Sequence, residues 1–501
     1  MGSSWQGRQD QATSWTNNEL MMRMMSCCWR CCCADAAAAV RCLFPCWSRL
    51  TRLFRSSVDY SNAFDDDSFI PTSRATMTTE GESGAPSAAA AYCIALSDVE
   101  SAAERIAGLA SRSPVLTSTS IDLLCSSAAA DDDDESSSNP LAVAPKSPAN
   151  MQQQKQPQRS IFFKVEALQR TGSFKFRGAL NATLALRERV LRQEAAAAAD
   201  GASECKDINV VTHSSGNHAQ AVALAARIAS DLDNQEKKKV NATICMPRNA
   251  PIVKRKAVAG FGGEIIMVDN TNEAREEMAD RIVEERGAHF IHPSEDPKVI
   301  AGQGTATLEM VEQVQDILRE RASKQGNAAS TTPPSSFDKP LDAVIIPVGG
   351  GGLASGNTIA LRGLFGDKVK IILAEPKELD DAKRSREAGK LLGHHEGNRL
   401  NSVADGLKTT LGPNTWPIVR DLVDDIITVS EEDILRATKL IWERLKVCIE
   451  PSAGVGVAVA LSDDFAEKYR IEDGIVNVGV ILCGGNVDII QTCKLMEQMG
   501  L

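Results

Sequence analysis

No stretch of this chain interleaves basic and aromatic residues in a sustained stripe, and that absence removes nucleic acid as an expected partner. Positive charge is in the minority as well. The 55 Lys and Arg against 66 Asp and Glu give a net charge of −11. No apolar run reaches ~18 residues, the length a membrane-spanning helix requires, so no transmembrane segment is expected. A disulfide framework is also missing. Of the 14 cysteines, Cys27, Cys28, Cys31, Cys32, Cys33, Cys42 and Cys46 crowd the head, and the others are scattered singly. Scattered cysteines suit reduced intracellular thiols. Cys28 and Cys31 have a zinc-ligand spacing, but no clean second pair follows. Palmitoylation of the head stays open. Met1-Gly2-Ser3-Ser4-Trp5-Gln6 half-matches a myristoylation signal, with Gln6 where Ser or Thr belongs.

Residues 1–90 show no sustained period and read as a disordered or targeting leader. A cytoplasmic location is expected. The Arg-containing, acid-poor run 40–58 leaves organelle targeting open. From residue 91 the pattern changes. Ser97-Asp98-Val99-Glu100 reads as a helix start with Ser97 as the cap. A low-complexity insertion covers 126–159, and shorter polar interruptions follow near 195–206, 231–239 and 322–339. Surface loops absorb such insertions at small entropic cost. Between 208 and 293 strand and helix patterns alternate regularly, which predicts a parallel α/β unit. Strands near 343–348, 369–374 and 478–483 predict a second sheet. The expected fold is α/β and two-lobed, with parallel sheets and helices on both faces. Residues 91–207 and 296–501 would form the large lobe, and 208–295 an inserted small one. The cleft between lobes is a natural cofactor site.

Three segments carry chemistry. Thr171-Gly172-Ser173-Phe174-Lys175-Phe176-Arg177-Gly178 places a lysine beside small residues ahead of a helical pattern. Such an amine can condense with a carbonyl. Ser214-Ser215-Gly216-Asn217-His218-Ala219-Gln220 follows a strand pattern, with uncharged donors suited to a carboxylate or a ring hydroxyl. The bland alternative is a capping turn. Gly349, Gly350, Gly351, Gly352 and Leu353 lie between a strand and a helix, where open backbone N–H groups would cradle a phosphate. No Gly-Lys-Ser/Thr follows, so this is not a nucleotide P-loop. A tight turn without ligand is the alternative. Together an amine, a polar loop and an anion loop are what pyridoxal phosphate (PLP) chemistry requires. Cys483 ends another strand pattern, where a thiol could face a pyridine nitrogen or be simply a small buried residue. Glu375 and Asp381, six apart around a turn, could share a hard cation or stay solvated.

With these pieces the chain resembles the fold-type II PLP enzymes, and within them the serine/threonine dehydratase family with its racemising members. The resemblance runs from about Tyr92 to Gln491. Its strings include Gly172-Ser173-Phe174-Lys175, Ser214-Ser215-Gly216-Asn217-His218, Val299-Ile300-Ala301-Gly302-Gln303-Gly304-Thr305, Glu450-Pro451-Ser452-Ala453-Gly454 and Gly484-Gly485-Asn486. The resemblance implies that Lys175 holds PLP and moves the α-proton on one face, with Ser215 as acid/base on the other. Related threonine dehydratases carry alanine there, which favours a racemase of serine that also eliminates water to give pyruvate and ammonia. The alternative is an L-serine/L-threonine or 3-hydroxyaspartate dehydratase without racemisation. A catalytically dead PLP fold with the Cys-rich head as a binding module is a third reading, against which Lys175 argues. It further implies that Asn217 bonds the ring hydroxyl, Gly349 to Leu353 the phosphate, and Cys483 the pyridine nitrogen. Ser214, Ser215, Asn217 and His218 would surround the carboxylate of an amino-acid substrate, with Arg275 in the cleft. Glu375, Asp381 and the Leu379 carbonyl match a divalent-cation site for Mg2+, Ca2+ or Mn2+. An ATP effector site maps onto Ser118, Thr119, Arg170, Thr171, Gln220, Phe261, Lys446 and Asn486, with Arg170 standing for a lysine and Phe261 for a tyrosine. Cys483 replaces a serine of animal racemases, and Ser294 stands where an asparagine is expected. A homodimer is implied. No carboxyl-terminal regulatory domain is expected.

Overall fold

The computed structural model describes residues 92–127, 158–199, 207–214, 216–232, 238–250, 252–324, 339–395 and 401–501. The leader and nearly all of the low-complexity insertion lie outside them. Among the described residues ten strands follow in chain order: β1 (Val115–Leu116), β2 (Ser160–Val165), β3 (Ile208–His213), β4 (Val240–Pro247), β5 (Glu264–Val268), β6 (His289–Phe290), β7 (Ala343–Pro347), β8 (Lys370–Pro376), β9 (Asp425–Val429) and β10 (Asn477–Leu482). They form two sheets. The six-stranded sheet runs β1-β2-β10-β7-β8-β9, and the four-stranded sheet β5-β4-β3-β6. Every pairing is parallel except β1 with β2. The large sheet thus draws strands from both ends of the described chain, and the small sheet comes from the middle. Both belong to one compact unit, Ser87–Leu501.

Burial explains the strand patterns. All five residues of β7 are buried, as are five of six in β10. Parallel strands covered on both faces read as continuous apolar runs, because neither face meets water. The helix Pro451–Ala460 is buried all round and packs against β7, β8 and β10. Its lack of an amphipathic stripe hid it from periodicity, as did the short edge strand β9. The helix near residue 97 begins at Leu96, not after Ser97. Asp98, at the third helical position, reaches back and accepts from the Ala95 N–H at 3.1 Å, so the helix start is held by this carboxylate and not by the Ser97 hydroxyl.

Two long helices set the site. The helix Lys175–Ala199 opens on the lysine itself, and the helix Pro297–Lys324 packs along it. Their backbones touch where Gly302 meets Gly178: a Cβ on Gly302 would stand 2.6 Å from the Gly178 Cα. The buried face of the first helix (Phe176, Ala179, Leu180) shares an apolar cluster with Val210, Ile244 and Val222 of the small lobe. Leu482 of β10 pairs with Val165 of β2, and the neighbouring β7 runs parallel to them. Their carboxyl ends share one edge, the expected ligand side of an open α/β sheet.

Candidate active site

Lys175 sits at that edge. Its Nζ donates to the Pro293 carbonyl at 2.8 Å and lies 5.2 Å from the Phe174 ring centre. Burial pushes its pKa down to about 8, while Cys483 and then Glu450 pull the other way. The segment is pinned by a bridge between Ser173 and Gly484 and by the Phe174 N–H donating to the Cys483 carbonyl at 3.0 Å. Two residues on, Arg177 holds the helix in place. Its guanidinium grips Glu166 through Nε and Nη2, both at 2.8 Å, and reaches Glu309 at 2.8 Å. Arg177 and Glu166 are fully buried, a pairing that tolerates removal of neither partner.

The polar loop after β3 delivers Asn217 to the same place. Asn217 Nδ2 donates to Glu450 Oε1 at 3.0 Å, and Asn217 Oδ1 accepts from Asn486 Nδ2 at 2.8 Å. Asn486 also donates to the Thr171 carbonyl at 2.7 Å. Burial, then Asp405, pushes the Glu450 carboxyl up to about 7. Ser214 Oγ accepts from the Gly216 N–H at 3.3 Å, while Ser215 lies outside the described residues. His218 Nε2 meets the Ile291 carbonyl at 3.1 Å. Burial, then the Lys175 charge, holds its pKa well below the usual value, so the ring is neutral. Cys483 is buried, and burial followed by Glu450 raises its thiol well above the ordinary range. A protonated thiol therefore faces Lys175. Arg275 folds back on the amino terminus of its own helix, donating to the Thr271 carbonyl and to Asn272 Oδ1. Its charge still reaches His213, where it depresses the ring after burial does.

The glycine loop closes the pocket. Gly351 has φ +80°, and a Cβ there would stand 2.6 Å from the Thr415 Cβ. A Cβ on Gly350 would meet Ser294 Oγ at 2.7 Å. Only glycine lets this backbone approach so closely. The loop opens the helix Gly352–Phe365, whose N–H groups would face an anion. Thr409 Oγ1 accepts from the Gly350 N–H at 3.0 Å, and Thr415 Oγ1 donates to Glu295 Oε1 at 2.8 Å. The pocket fits PLP: a buried amine of depressed pKa, a cradle that any side chain would fill, and buried Ser173 Oγ and Thr171 Oγ1 without partners.

Sequence reasoning assigned no role to Glu450, Glu295, Thr409 or Thr415. Glu450 lies within a quoted string, but its meaning comes from Asn217, 233 positions away.

Residues 144–484 match the family model described as pyridoxal-phosphate dependent enzyme. The chain belongs to this family of PLP-dependent enzymes. It is 37% identical to serine racemase of Homo sapiens over 410 residues, covering 82% of this chain and 96% of that protein. It is 41% identical to serine racemase of Arabidopsis thaliana over 331 residues, 66% of this chain and 84% of that one. Among solved structures it is similar to maize serine racemase, with TM-score 0.61 and 35% identity over 81% of this chain and 98% of that one. It is also similar to the serine racemase of Dictyostelium discoideum, at TM-score 0.59 and 34% identity over 79% of this chain and 100% of that one. In this chain the lysine, polar loop and glycine loop meet at the sheet edge.

Two further groups of expected residues surround the cleft. Glu375 ends β8 and accepts from the Ala382 and Lys383 N–H groups at 2.9 and 3.1 Å. Asp381 Oδ2 accepts from the Leu411 N–H at 3.2 Å, and Leu379 is buried between them in sequence. Burial, then Asp381, raises Glu375 well above the carboxylate range, and burial raises Asp381 to about 6. Of the ATP positions, Thr171 and Asn486 touch, Gln220 is buried one turn after Asn217, and Ser118 and Thr119 start the helix Thr119–Ser127. Arg170 is exposed, and Lys446 turns its Nζ onto the Glu443 carbonyl. Phe261 stands apart. It lines a cavity of about 440 Å3 with Asn209, Arg227 and Glu264, at the amino-terminal edge of the small sheet.

Among the described residues no helix is long and apolar enough to cross a membrane.

Proposed function

We propose that this chain interconverts L-serine and D-serine and also eliminates water from serine, giving pyruvate and ammonia. The observation that carries the reading is the buried Lys175 amine, with its depressed pKa, facing Cys483 and the Asn217 loop. The chain's similarity to serine racemases of human, Arabidopsis and maize supports it. PLP, when bound, supplies an electron sink that acidifies the substrate Cα–H. Lys175 Nζ takes or returns that proton on one face. The Ser215 hydroxyl does the same on the other, since racemisation requires a base on each side of a planar carbon. Asn217 holds the ring hydroxyl, with its amide oriented by Glu450 and Asn486. Gly349, Gly350, Gly351, Gly352 and Leu353 would cradle the phosphate with backbone N–H groups, the Gly350 N–H exchanging its bond to Thr409 Oγ1 for it. The protonated Cys483 thiol faces the ring nitrogen without adding charge. Ser214, Ser215, Asn217 and His218 would surround the substrate carboxylate, with Arg275 in the cleft.

The same reading includes a divalent cation, Mg2+, Ca2+ or Mn2+, between Glu375, Asp381 and the Leu379 carbonyl. Two buried carboxylates with raised pKa values are a charge that such an ion would relieve. ATP as effector draws support from the Thr171–Asn486 contact beside Asn217, while Phe261 would have to contribute from elsewhere. A large lobe of 91–207 and 296–501 with 208–295 inserted is supported by the two separate sheets. A homodimer is supported by the exposed apolar Leu168, Ile489 and Ile490. A cytoplasmic location, or organelle targeting by 1–90, belongs to the same reading.

The test is purified protein with L-serine, PLP and Mg2+, with and without ATP, assayed in one tube for D-serine by chiral chromatography and for pyruvate. Wild type should form both. Ser215→Ala should lose D-serine while keeping some pyruvate. Pyruvate alone from wild type would make the chain a dehydratase and leave Ser215 a positioning role.

A further inference from the structure

One contact beside Glu375 and Asp381 lacks an explanation in hydrogen bonding. His394 Nε2 meets the Lys408 carbonyl at 3.0 Å. A carbonyl only accepts, so Nε2 carries the hydrogen, and in the neutral ring Nδ1 is a bare lone pair. That Nδ1 is buried and has no hydrogen-bond partner. It faces Asp381 Oδ1 across 3.7 Å. The contact is an ion pair only with the ring protonated, and at 3.7 Å it is too long for a hydrogen bond in either state. Asp381 and Glu375 are each 1% exposed, so water does little to screen them. Glu375 spends both oxygens on backbone N–H groups, and Asp381 spends Oδ2 on Leu411. Asp381 Oδ1 and His394 Nδ1 are left 3.7 Å apart with no hydrogen bond between them, an arrangement that a positive centre would relieve.

We propose that His394 Nδ1 is a nitrogen ligand of the divalent-cation site of Glu375 and Asp381, and that it shifts this site's preference from Mg2+ and Ca2+ toward Mn2+ and Co2+. The inference rests on the cation reading above and deepens it. An all-oxygen site suits hard ions, whereas imidazole favours later first-row metals along the Irving–Williams order. Ligand atoms flanking one ion at about 2.1 Å lie roughly 3.0–3.4 Å apart. The observed 3.7 Å therefore asks only a few tenths of an ångström of the 389–395 loop. Among the described residues no three His, Cys, Asp or Glu side chains are drawn around one point, so the proposed site requires the His394 segment to move inward on binding. The Nε2 bond to Lys408 fixes the tautomer and aims Nδ1 inward, the usual arrangement behind a metal-binding imidazole.

Full-length PLP-loaded protein would be titrated calorimetrically with Mg2+, Ca2+, Mn2+ and Co2+. The Mn2+ complex would be examined by pulsed EPR for coupling to a bound nitrogen. Nitrogen coupling is expected. His394→Gln should weaken Mn2+ and Co2+ by ~10-fold or more while Mg2+ changes far less. A Mn2+ complex without nitrogen coupling overturns the proposal, as does an unchanged metal preference in His394→Gln. The spectrum of the wild type requires no variant, so poor folding of His394→Gln leaves the test intact. Failure of the parent reading looks different: wild type would take up no divalent cation, or Glu375→Gln would retain full binding. Either result removes the site as well as its histidine.

Discussion

Lys175 carries its amine where charge is costly, and that cost is usable. Burial brings the pKa to about 8, against 10.5 for an ordinary lysine. The neutral amine is the form that condenses with a carbonyl. The rate at which apoprotein captures PLP, followed by absorbance, should rise with pH about a midpoint near 8 and level off above it. A midpoint near 10.5 would mean the amine is solvated. Glu450 is the second residue on which the pocket depends. Its charge-assisted bond fixes which end of the Asn217 amide points where. Such bonds contribute ~1.5–3 kcal/mol, so Glu450→Gln should weaken PLP affinity by roughly tenfold or more in equilibrium dialysis. Glu450 also sets a pH trend. Its folded pKa of about 7 lies above the ordinary value of 4.5, so the native apoprotein holds the proton longer than the unfolded chain. Its contribution to stability is complete at low pH and falls as pH rises from the unfolded value through about 7. Glu450→Gln should flatten the decline of the urea midpoint between pH 5 and 8. Lys175 was legible in the sequence because its small neighbours and the following helix are local. Glu450 was not, since a lone acidic residue acquires meaning only when folding brings Asn217 and Cys483 to it.

Among elements, the helix pair Lys175–Ala199 and Pro297–Lys324 positions the amine, and glycine makes their contact possible. A Cβ on Gly302 would stand 2.6 Å from the Gly178 Cα and 2.8 Å from the Arg177 carbonyl oxygen. Both obstacles are backbone, so neither can rotate away. Overpacking of this kind costs about 1–3 kcal/mol. Gly302→Ala should lower the urea midpoint without changing the slope, and should displace the helix that begins with Lys175, weakening PLP binding too. Unchanged stability would show that the helices have room to part. The string around Gly302 was readable as part of a resemblance, yet the apolar pattern there did not reveal the 28-residue helix that carries it. Helices with apolar stripes and strands with continuous apolar runs were found within a few residues. The helix Pro451–Ala460 and the strand β9 were not. One has no polar face to reveal its period, and the other is short and lies at the sheet edge.

For the whole molecule, the open question is how a surface carrying large exposed apolar side chains meets water. Leu168 is 54% exposed, Ile489 52% and Ile490 70%. The segments that carry them run side by side, since the Gly485 N–H donates to the Gly172 carbonyl at 2.8 Å and Asn486 bonds Thr171. Scattered exposed apolar residues need no explanation, but neighbouring ones mark association sites. These lie behind the loop that carries Asn486 and Thr171, so a partner covering them would brace the Asn217 bond network from outside. A second copy of the chain is the occupant that the homodimer reading supplies. Ile490→Lys would place a charge in the centre of such an interface, where an unpaired buried charge costs several kcal/mol. The residue is mostly exposed in the single chain, so the fold itself should tolerate the change. Sedimentation velocity at micromolar concentration should show wild type as a dimer and Ile490→Lys shifted toward monomer, with weakened PLP retention in the monomer. A wild type that sediments as a monomer would end the dimer reading. A dimer unaffected by Ile490→Lys would move the interface to another face.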